Sequence, residues 1–483
     1  MKNLSALLLV LTPTFALGDE QPILSWQVTP PLPVALGQDP AYPHFTQIFG
    51  VPWHERKSDE GGWLILEDPA AEGSTSPRSV WARASHSASA IGTLRVNVQH
   101  EGALRLFWNG APAMDCTGEC PAGGEHAGVE LGCVRGLNEL LVKSVQGSSG
   151  WALAVSCDRA FEAPTKEHDR AKRVWQTPAQ FLTPECVLHD PERDLVYVSS
   201  FDRLFQNRPA PMGFISKLST SGEIVDLHWV KDLNGPCGMA LSGEVLYVAE
   251  RGFLTEIEVE SGEVLARHPA PSSRFLNDVT IGSGGHVFVS DTSRTADDHG
   301  HSIWRLEEGE LRVWLEDPGI SRANGIVWHR DSLLTGNTGD GALKSIDPMT
   351  KRVSPLVGLG AGVVDGIRPD GQGGLLISHW EGQLYHLAAS GRLVEVLDTQ
   401  GEGLNCADFE YIPEQKLLIV PTFGADRIMA YELDLPAPSS ETDPTPGTGA
   451  DLDRELPPGE PHQRPRSIRS SSLEIVCTDL LDS

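Results

Sequence analysis

A pattern that returns about every 40 residues between positions 176 and 435 constrains this chain more than anything else in it. Each copy opens on a short polar entry: Pro184-Glu185-Cys-Val-Leu, Pro236-Cys237-Gly-Met-Ala, Leu276-Asn277-Asp-Val-Thr, Ala323-Asn324-Gly-Ile-Val, Val364-Asp365-Gly-Ile-Arg and Ala407-Asp408-Phe-Glu-Tyr. A turn follows, then a hydrophobic strand: Leu195-Val-Tyr-Val-Ser, Val245-Leu-Tyr-Val-Ala, Val287-Phe-Val-Ser-Asp, Leu333-Leu-Thr-Gly-Asn, Leu375-Leu-Ile-Ser-His and Leu417-Leu-Ile-Val-Pro. Further strands recur, as in Ser302-Ile-Trp-Arg-Leu and Arg427-Ile-Met-Ala-Tyr, with turns such as Ser221-Gly222, Ser261-Gly262 and Ser390-Gly391. A unit of four short strands cannot bury its faces alone, whereas six packed radially share one core. The spacing therefore predicts a six-bladed β-propeller over residues 176–435.

Residues 19–160 form a second unit of alternating strands, among them Gly92-Thr-Leu-Arg-Val-Asn-Val, Leu104-Arg-Leu-Phe-Trp-Asn-Gly and Gly136-Leu-Asn-Glu-Leu-Leu-Val. Asn109-Gly110 reads as a hairpin turn, because both positions tolerate positive φ. The expectation is an all-β chain, a β-sandwich followed by the propeller, and the 49 glycines and 35 prolines suit such a turn-rich fold. Residues 161–175 are charged and aperiodic, and read as a linker with room for one helical turn. Residues 436–483 are acidic and proline-rich and read as a disordered tail. At the other end, Lys2, the apolar run Leu4 to Leu11, and small Ala16 and Gly18 give residues 1–18 the form of a signal peptide. The run is too short to span a bilayer, so a secreted or periplasmic protein is expected.

Sixty-six acidic against 38 basic residues give a formal charge of −28, which disfavours nucleic acid and anionic lipid as partners and suits cations. Eight cysteines in an exported chain point to disulfides. Two bridges are expected among Cys116, Cys120, Cys133 and Cys157, with a zinc site of Cys116, Cys120, His126 and Cys133 as the alternative. Cys186, Cys237 and Cys406 lie beside neighbouring blade entries, as buried thiols or as a bridge across the closure. Cys477 reads as a free thiol or an intermolecular bridge.

The innermost strand of each blade lines a propeller's channel, so the six entries superpose into a ring of Glu185, Cys237, Asn277, Asn324, Asp365 and Asp408. Five of the six offer hard oxygen ligands, a set suited to one calcium-like cation. Asn-Gly and Asp-Gly are also ordinary turn formers, but turn chemistry does not ask for Glu185 in register with them. Gly358-Leu-Gly-Ala-Gly362 lacks the Lys-Ser/Thr of a phosphate loop, and no Gly-x-Ser-x-Gly elbow occurs.

The segments PECVLHDPERDLVYVSS, FLNDVTIGSGGHVFVSDT, RANGIVW and VDGIRPDGQGGLLISHW resemble, in order and spacing, the senescence marker protein, gluconolactonase and luciferin-regenerating-enzyme-like family of six-bladed propellers. That resemblance spans Phe181 to Leu433. It implies that Glu185, Asn324 and Asp365 hold a divalent cation, calcium first and zinc second, that Asn277 contacts substrate, and that Asp365 also serves as base in lactone or ester hydrolysis. His379 and Asp408 are further candidates for substrate contact, and Asp297-Asp-His-Gly-His301 for a loop over the channel. Family enzymes often carry an arginine two residues before the blade-three asparagine, whereas Phe275 and Leu276 intervene here and Arg274 is the nearest. The end of the first unit, with its WNG hairpin and GLNELLVK strand, resembles a galactose-binding-like jelly roll, which implies a carbohydrate partner or a structural role; Trp81, Trp108 and Trp151 suit a core as well as a platform. Two readings follow: a metal-dependent lactonase or esterase-like hydrolase, or a non-catalytic propeller that binds a ligand or protein beside a carbohydrate-binding-like accessory domain. Strictosidine synthase-like propellers share the architecture only, and architecture does not carry a reaction.

Overall fold

The computed structural model describes residues 21–22, 25–28, 32–33, 54–58, 63–66, 78–88, 92–100, 102–109, 111–120, 129–145, 152–157, 165–202, 213–292, 301–338, 340–360 and 362–435. Residues 1–18 and 436–483, expected to be a signal peptide and a disordered tail, residues 297–300 of the expected channel loop, His126, Trp151, Cys477 and the side chains of Cys116 and Cys120 lie outside the described residues.

The first unit is built from β1 (Gln21–Pro22), β2 (Ser25–Val28), β3 (Leu32–Pro33), β4 (His54–Lys57), β5 (Trp63–Ile65), β6 (Arg78–Ala88), β7 (Gly92–His100), β8 (Gly102–Trp108), β9 (Ala111–Cys120), β10 (Val129–Cys133), β11 (Gly136–Val145) and β12 (Ala152–Cys157). One sheet runs β1-β12-β7-β10, with β5 on β12; the other carries β4-β2-β6-β11, with β8 on β11 and β9 on β8. Alternation drives both. In β7, Leu94, Val96 and Val98 face inward while Arg95 is exposed, and they meet Val80, Ala82, Leu106, Leu140 and Val142 of the opposite sheet in one core. Asn109 takes φ 47° between paired β8 and β9, as the hairpin requires.

Trp81 and Trp108 are buried, and Trp108 Nε1 donates to the Gly132 carbonyl at 2.8 Å, so neither is a sugar platform. The expectation of two bridges is corrected: Cys133 and Cys157 form no disulfide, and the Cys116 and Cys120 side chains lie outside the described residues. Cys133 on β10 and Cys157 on β12 lie on opposite sides of β7. Two strand spacings put such positions about 10 Å apart, beyond the reach of a disulfide.

Six four-stranded blades follow, five of them as separate sheets and the fourth joined at its edge to a sheet of the first unit. Blade one is β14 (Pro184–Asp190), β15 (Leu195–Phe201), β16 (Gly213–Ser219) and β17 (Ile224–Leu233); blade two is β18 (Met239–Ser242), β19 (Val245–Glu250), β20 (Phe253–Glu258) and β21 (Val264–Pro269). Blade three is β22 (Leu276–Ile281), β23 (Val287–Thr292), β24 (His301–Glu307) and β25 (Glu310–Glu316); blade four is β26 (Ala323–His329), β27 (Ser332–Asn337), β28 (Ala342–Ile346) and β29 (Val353–Leu359). Blade five is β30 (Val364–Pro369), β31 (Leu375–His379), β32 (Gln383–Leu387) and β33 (Leu393–Asp398). Blade six takes β34 (Glu410–Ile412), β35 (Leu417–Pro421) and β36 (Ile428–Leu433), completed by β13 (Ala171–Gln176) from the start of the propeller. The inner strands abut in the cycle β14, β18, β22, β26, β30, β34 and back to β14, which closes the ring.

Two features depart from the expected boundaries. Ala171–Gln176, partly within the stretch read as a linker, is the outermost strand of blade six, and only His168–Arg170 forms a helical turn. An outermost strand is largely solvated, so exposed Lys172 and Arg173 hide the periodicity while Trp175 packs on the apolar core of blades one and six. Second, sandwich and propeller share a sheet. β11 pairs in parallel with β29 at Gly136↔Gly358 and Leu137↔Leu359, and Leu137 enters the core of blades four and five.

Candidate functional site

The polar entries lie at the starts of the inner strands. Glu185, Asn277, Asn324 and Asp365 each occupy the second position of their strand, while Cys237 and Asp408 precede theirs by two residues. All six are buried. Main-chain hydrogen bonds between blades set their height: Gly238 N–H donates to the Asn277 carbonyl at 2.7 Å, and Asp408 N–H to the Glu185 carbonyl at 3.0 Å. A Cβ on Gly325 would stand 1.5 Å from the Asp365 carbonyl oxygen. The glycine after Asn324 is thus demanded by close blade contact inside a strand, and the turn-former account of Asn-Gly does not apply.

A serine repeated in the second strand pins three of these positions. Ser199 Oγ accepts from Cys186 N–H at 3.0 Å, Ser290 Oγ from Asp278 N–H at 3.0 Å, and Ser378 Oγ from Gly366 N–H at 2.7 Å.

Glu185 Oε2 and Asn324 Oδ1 are buried and have no hydrogen-bond partner among the described residues. A buried oxygen without a donor is costly, and a bound cation would relieve it. Burial pushes the Glu185 carboxyl well above the usual carboxylate range, with Asp365, Asp408 and Asp278 adding repulsion. Asp365 is raised by burial and then by Asp408 and Asp278, against the pull of Arg368.

Two members of this cluster escape a reading that stops at the entry positions. Asp278, the next residue after Asn277, accepts from Val279 N–H at 2.7 Å and from Ile326 N–H at 2.8 Å, stitching blade three to blade four. Arg368 ends the Val364-Asp365-Gly-Ile-Arg entry, and its Nη2 lies 3.1 Å from Asp408 Oδ1, with Nε 3.7 Å from Glu410 Oε1. A second charge three residues after Asp365 in the same inner strand was the signal available for it. Asp408 Oδ2 also accepts from Cys186 Sγ at 2.9 Å. Its carboxylate is therefore engaged by Arg368 and Cys186, and its influence on a ligand is through charge.

His379 ends β31, opposite Val364, with its ring packed against Gly362, where a Cβ would stand 2.1 Å from Cε1. Cys237 Sγ donates to the Gly235 carbonyl at 3.6 Å, and neither it nor Cys186 or Cys406 forms the bridge considered for the closure. Among the described residues, the His, Cys, Asp and Glu side chains that converge on one point are His168, Glu395 and Asp398, on the outer edge of blade five. There His168 Nε2 at 2.7 Å and Lys166 Nζ at 3.3 Å already serve Glu395.

No family model matches the chain, and no curated protein matches it. Among solved structures, luciferin-regenerating enzyme is 13% identical over 56% of this chain and 95% of its own, with a TM-score of 0.40. A gluconolactonase from Xanthomonas campestris is 15% identical over 54% of this chain and 98% of its own, at 0.38. The WD40 propeller domain of Doa1 is 11% identical over 51% and 77%, at 0.39. The six-bladed architecture stands on the sheets and their cyclic order, independent of these likenesses. No helix among the described residues is long and apolar enough to cross a membrane.

Proposed function

We propose that the protein is an exported, divalent-cation-dependent hydrolase of lactones or related esters, acting in the propeller channel. The observation that carries this reading is the pair of buried oxygens without donors, Glu185 Oε2 and Asn324 Oδ1, in a ring crowded with carboxylates. Among the described residues, Arg368 is the cation facing that crowd, and it is committed to Asp408 and Glu410. Glu185, Asn324 and Asp365 would hold the ion, and their hard oxygens suit calcium before zinc. Such an ion supplies carbonyl polarisation and a water of lowered pKa. Asp365 accepts a proton from the attacking water and returns it to the departing alcohol oxygen, so one carboxylate serves both halves of the hydrolysis. Asn277 orients the substrate from blade three, and His379 shapes the entry through Gly362.

Metal analysis of the purified protein, run with a panel of lactones and esters, tests this. One divalent ion per chain and turnover that both vanish in Asp365→Ala are expected. Unchanged hydrolysis in that variant overturns the reading, and an ion without turnover of any panel member replaces it with a ligand-binding propeller.

A further inference from the structure

Three aromatic side chains stand at the end of the channel that carries the ring, on the side of blades five, six and one. Trp380 directly follows β31, Phe423 follows β35 by two residues, and Phe201 ends β15. Second strands run back toward the end where inner strands begin, and hydrogen bonds fix the placement. Trp380 N–H donates to the carbonyl of Val363, two residues before Asp365, at 2.9 Å. The Trp380 carbonyl accepts from Cys406 N–H, two residues before Asp408, at 3.3 Å. Asn405 ties the pieces together, donating from Nδ2 to the Trp380 carbonyl at 3.2 Å and accepting from Gly424 N–H at 3.1 Å. Asp426, just beyond, accepts from the N–H of Thr183, two residues before Glu185, at 2.9 Å.

The rings meet edge to face: Trp380 and Phe423 at 5.4 Å and 68°, Phe423 and Phe201 at 6.1 Å and 74°. Phe201 is buried, whereas Trp380 and Phe423 are partly exposed, and none of the three belongs to an apolar core of the blades. Phe423 holds φ 26°, a conformation that a side-chain-bearing residue keeps only where its surroundings impose it. Aromatic rings locked together outside the apolar clusters between blades, with Trp380 and Phe423 open on one side near a buried polar ring, have the character of an apolar wall for a ligand.

We propose that Trp380, Phe423 and Phe201 are the subsite for a flat apolar group of the substrate, so that the channel takes lactones or esters carrying an aryl or fused aromatic ring. The substrate class rests on the hydrolase reading above; the aromatic subsite does not. Dihydrocoumarin and δ-valerolactone test it, being the same six-membered lactone with and without a fused benzene ring. The wild-type protein is expected to favour dihydrocoumarin in kcat/KM, and Trp380→Ala and Phe423→Ala to lower that preference about tenfold, the scale of a lost aromatic contact. Trp380→Leu, which keeps apolar bulk, guards against a folding defect and is expected to fall between. A preference unchanged in both alanine variants overturns the subsite. Equilibrium binding of dihydrocoumarin to calcium-depleted protein separates the two ideas. If the wild type hydrolyses neither lactone, the hydrolase reading fails, and weaker binding in Trp380→Ala still supports the subsite, while equal binding in both proteins overturns it.

Discussion

Cys186 Sγ donates to Asp408 Oδ2 at 2.9 Å, across the seam where blade six closes on blade one. This thiol–carboxylate hydrogen bond joins the main-chain bonds between Glu185, Val187 and Asp408 and the β13–β36 pairing at the closure, with no covalent bridge between these blades among the described residues. Burial, and then the Asp408 charge, push the Cys186 thiol well up; burial does the same to Cys406, with Asp365 and Asp408 adding to it. The thiolate is the reactive form, so both should be inert in the folded protein. Labelling with a disulfide reagent, followed by peptide mapping, is expected to leave Cys186 and Cys406 unmodified until guanidinium unfolds the chain. Modification of either under native conditions contradicts the seam.

Arg368, its side chain 12% exposed, sits among Asp408, Glu410 and Asp278; desolvation works against its charge, and those carboxylates outweigh it and hold the guanidinium protonated. Removing one partner of a buried ion pair leaves the other charge uncompensated, at a cost of about 3–5 kcal/mol. Arg368→Met is expected to lose stability on that scale in urea denaturation. Arg368→Lys keeps the charge but not the planar fork, and should lose less. Equal stability of Arg368→Met and wild type would mean that the carboxylates are neutral without it.

The propeller and the places of its polar entries were legible because each blade repeats one polar entry before one apolar strand, a signal internal to the chain. The closing strand was not. Lys172 and Arg173 are exposed on β13, and a solvated edge needs no alternation. Asp278 and Arg368 were hidden for a different reason: their roles come from neighbours in other blades, Ile326 for one and Asp408 for the other. Cys133 and Cys157 misled because the expected export favours bridges, whereas pairing also needs short Cα separations, and β7 separates the two.

Glu139 of β11 is expected to give the protein's stability a pH dependence. Burial raises its carboxyl from 4.5 to about 7, with Arg83 of β6 opposing and Glu381, in the turn between β31 and β32, reinforcing. Arg83 Nη1 and Glu381 Oε2 are 3.8 Å apart, and Glu139 N–H is held by Asn109 Oδ1 at 2.8 Å. A folded-state pKa above the unfolded one means that the folded chain keeps a proton which the unfolded chain releases. This contribution is full below pH 4.5 and is lost as pH rises through 7. The size is at most about 3 kcal/mol, from 1.36 kcal/mol per pKa unit. Urea midpoints of wild type and Glu139→Gln between pH 4.5 and pH 8 isolate this group from the other raised carboxyls. The wild type should lose more stability than the variant across that range, and parallel profiles would remove Glu139 as the cause.

The parallel join of β11 to β29 depends on two glycines at once. Gly358 N–H donates to the Arg135 carbonyl at 2.7 Å, and a Cβ on Gly358 would stand 2.2 Å from the Leu137 carbonyl oxygen. On the opposite strand Gly136 takes φ 95°, and a Cβ there would meet Val357 Cγ2 at 2.4 Å. The main-chain contacts, the Leu137 carbonyl oxygen for Gly358 and the Gly358 carbonyl oxygen at 2.5 Å for Gly136, do not relax by side-chain rotation, so an alanine must part the strands or bend one of them. Gly358→Ala is expected to cost about 1–3 kcal/mol, the usual range for overpacking a tight site. Because the join is local, its loss should appear in hydrogen exchange before it appears in the blades: the Gly358 amide accelerates, while Leu376 and Ile377 of β31 keep wild-type protection. Protection at Gly358 equal to wild type would show that the sheet is held from elsewhere, through the Arg83–Glu381 pair and the Leu137 side chain in the core of blades four and five.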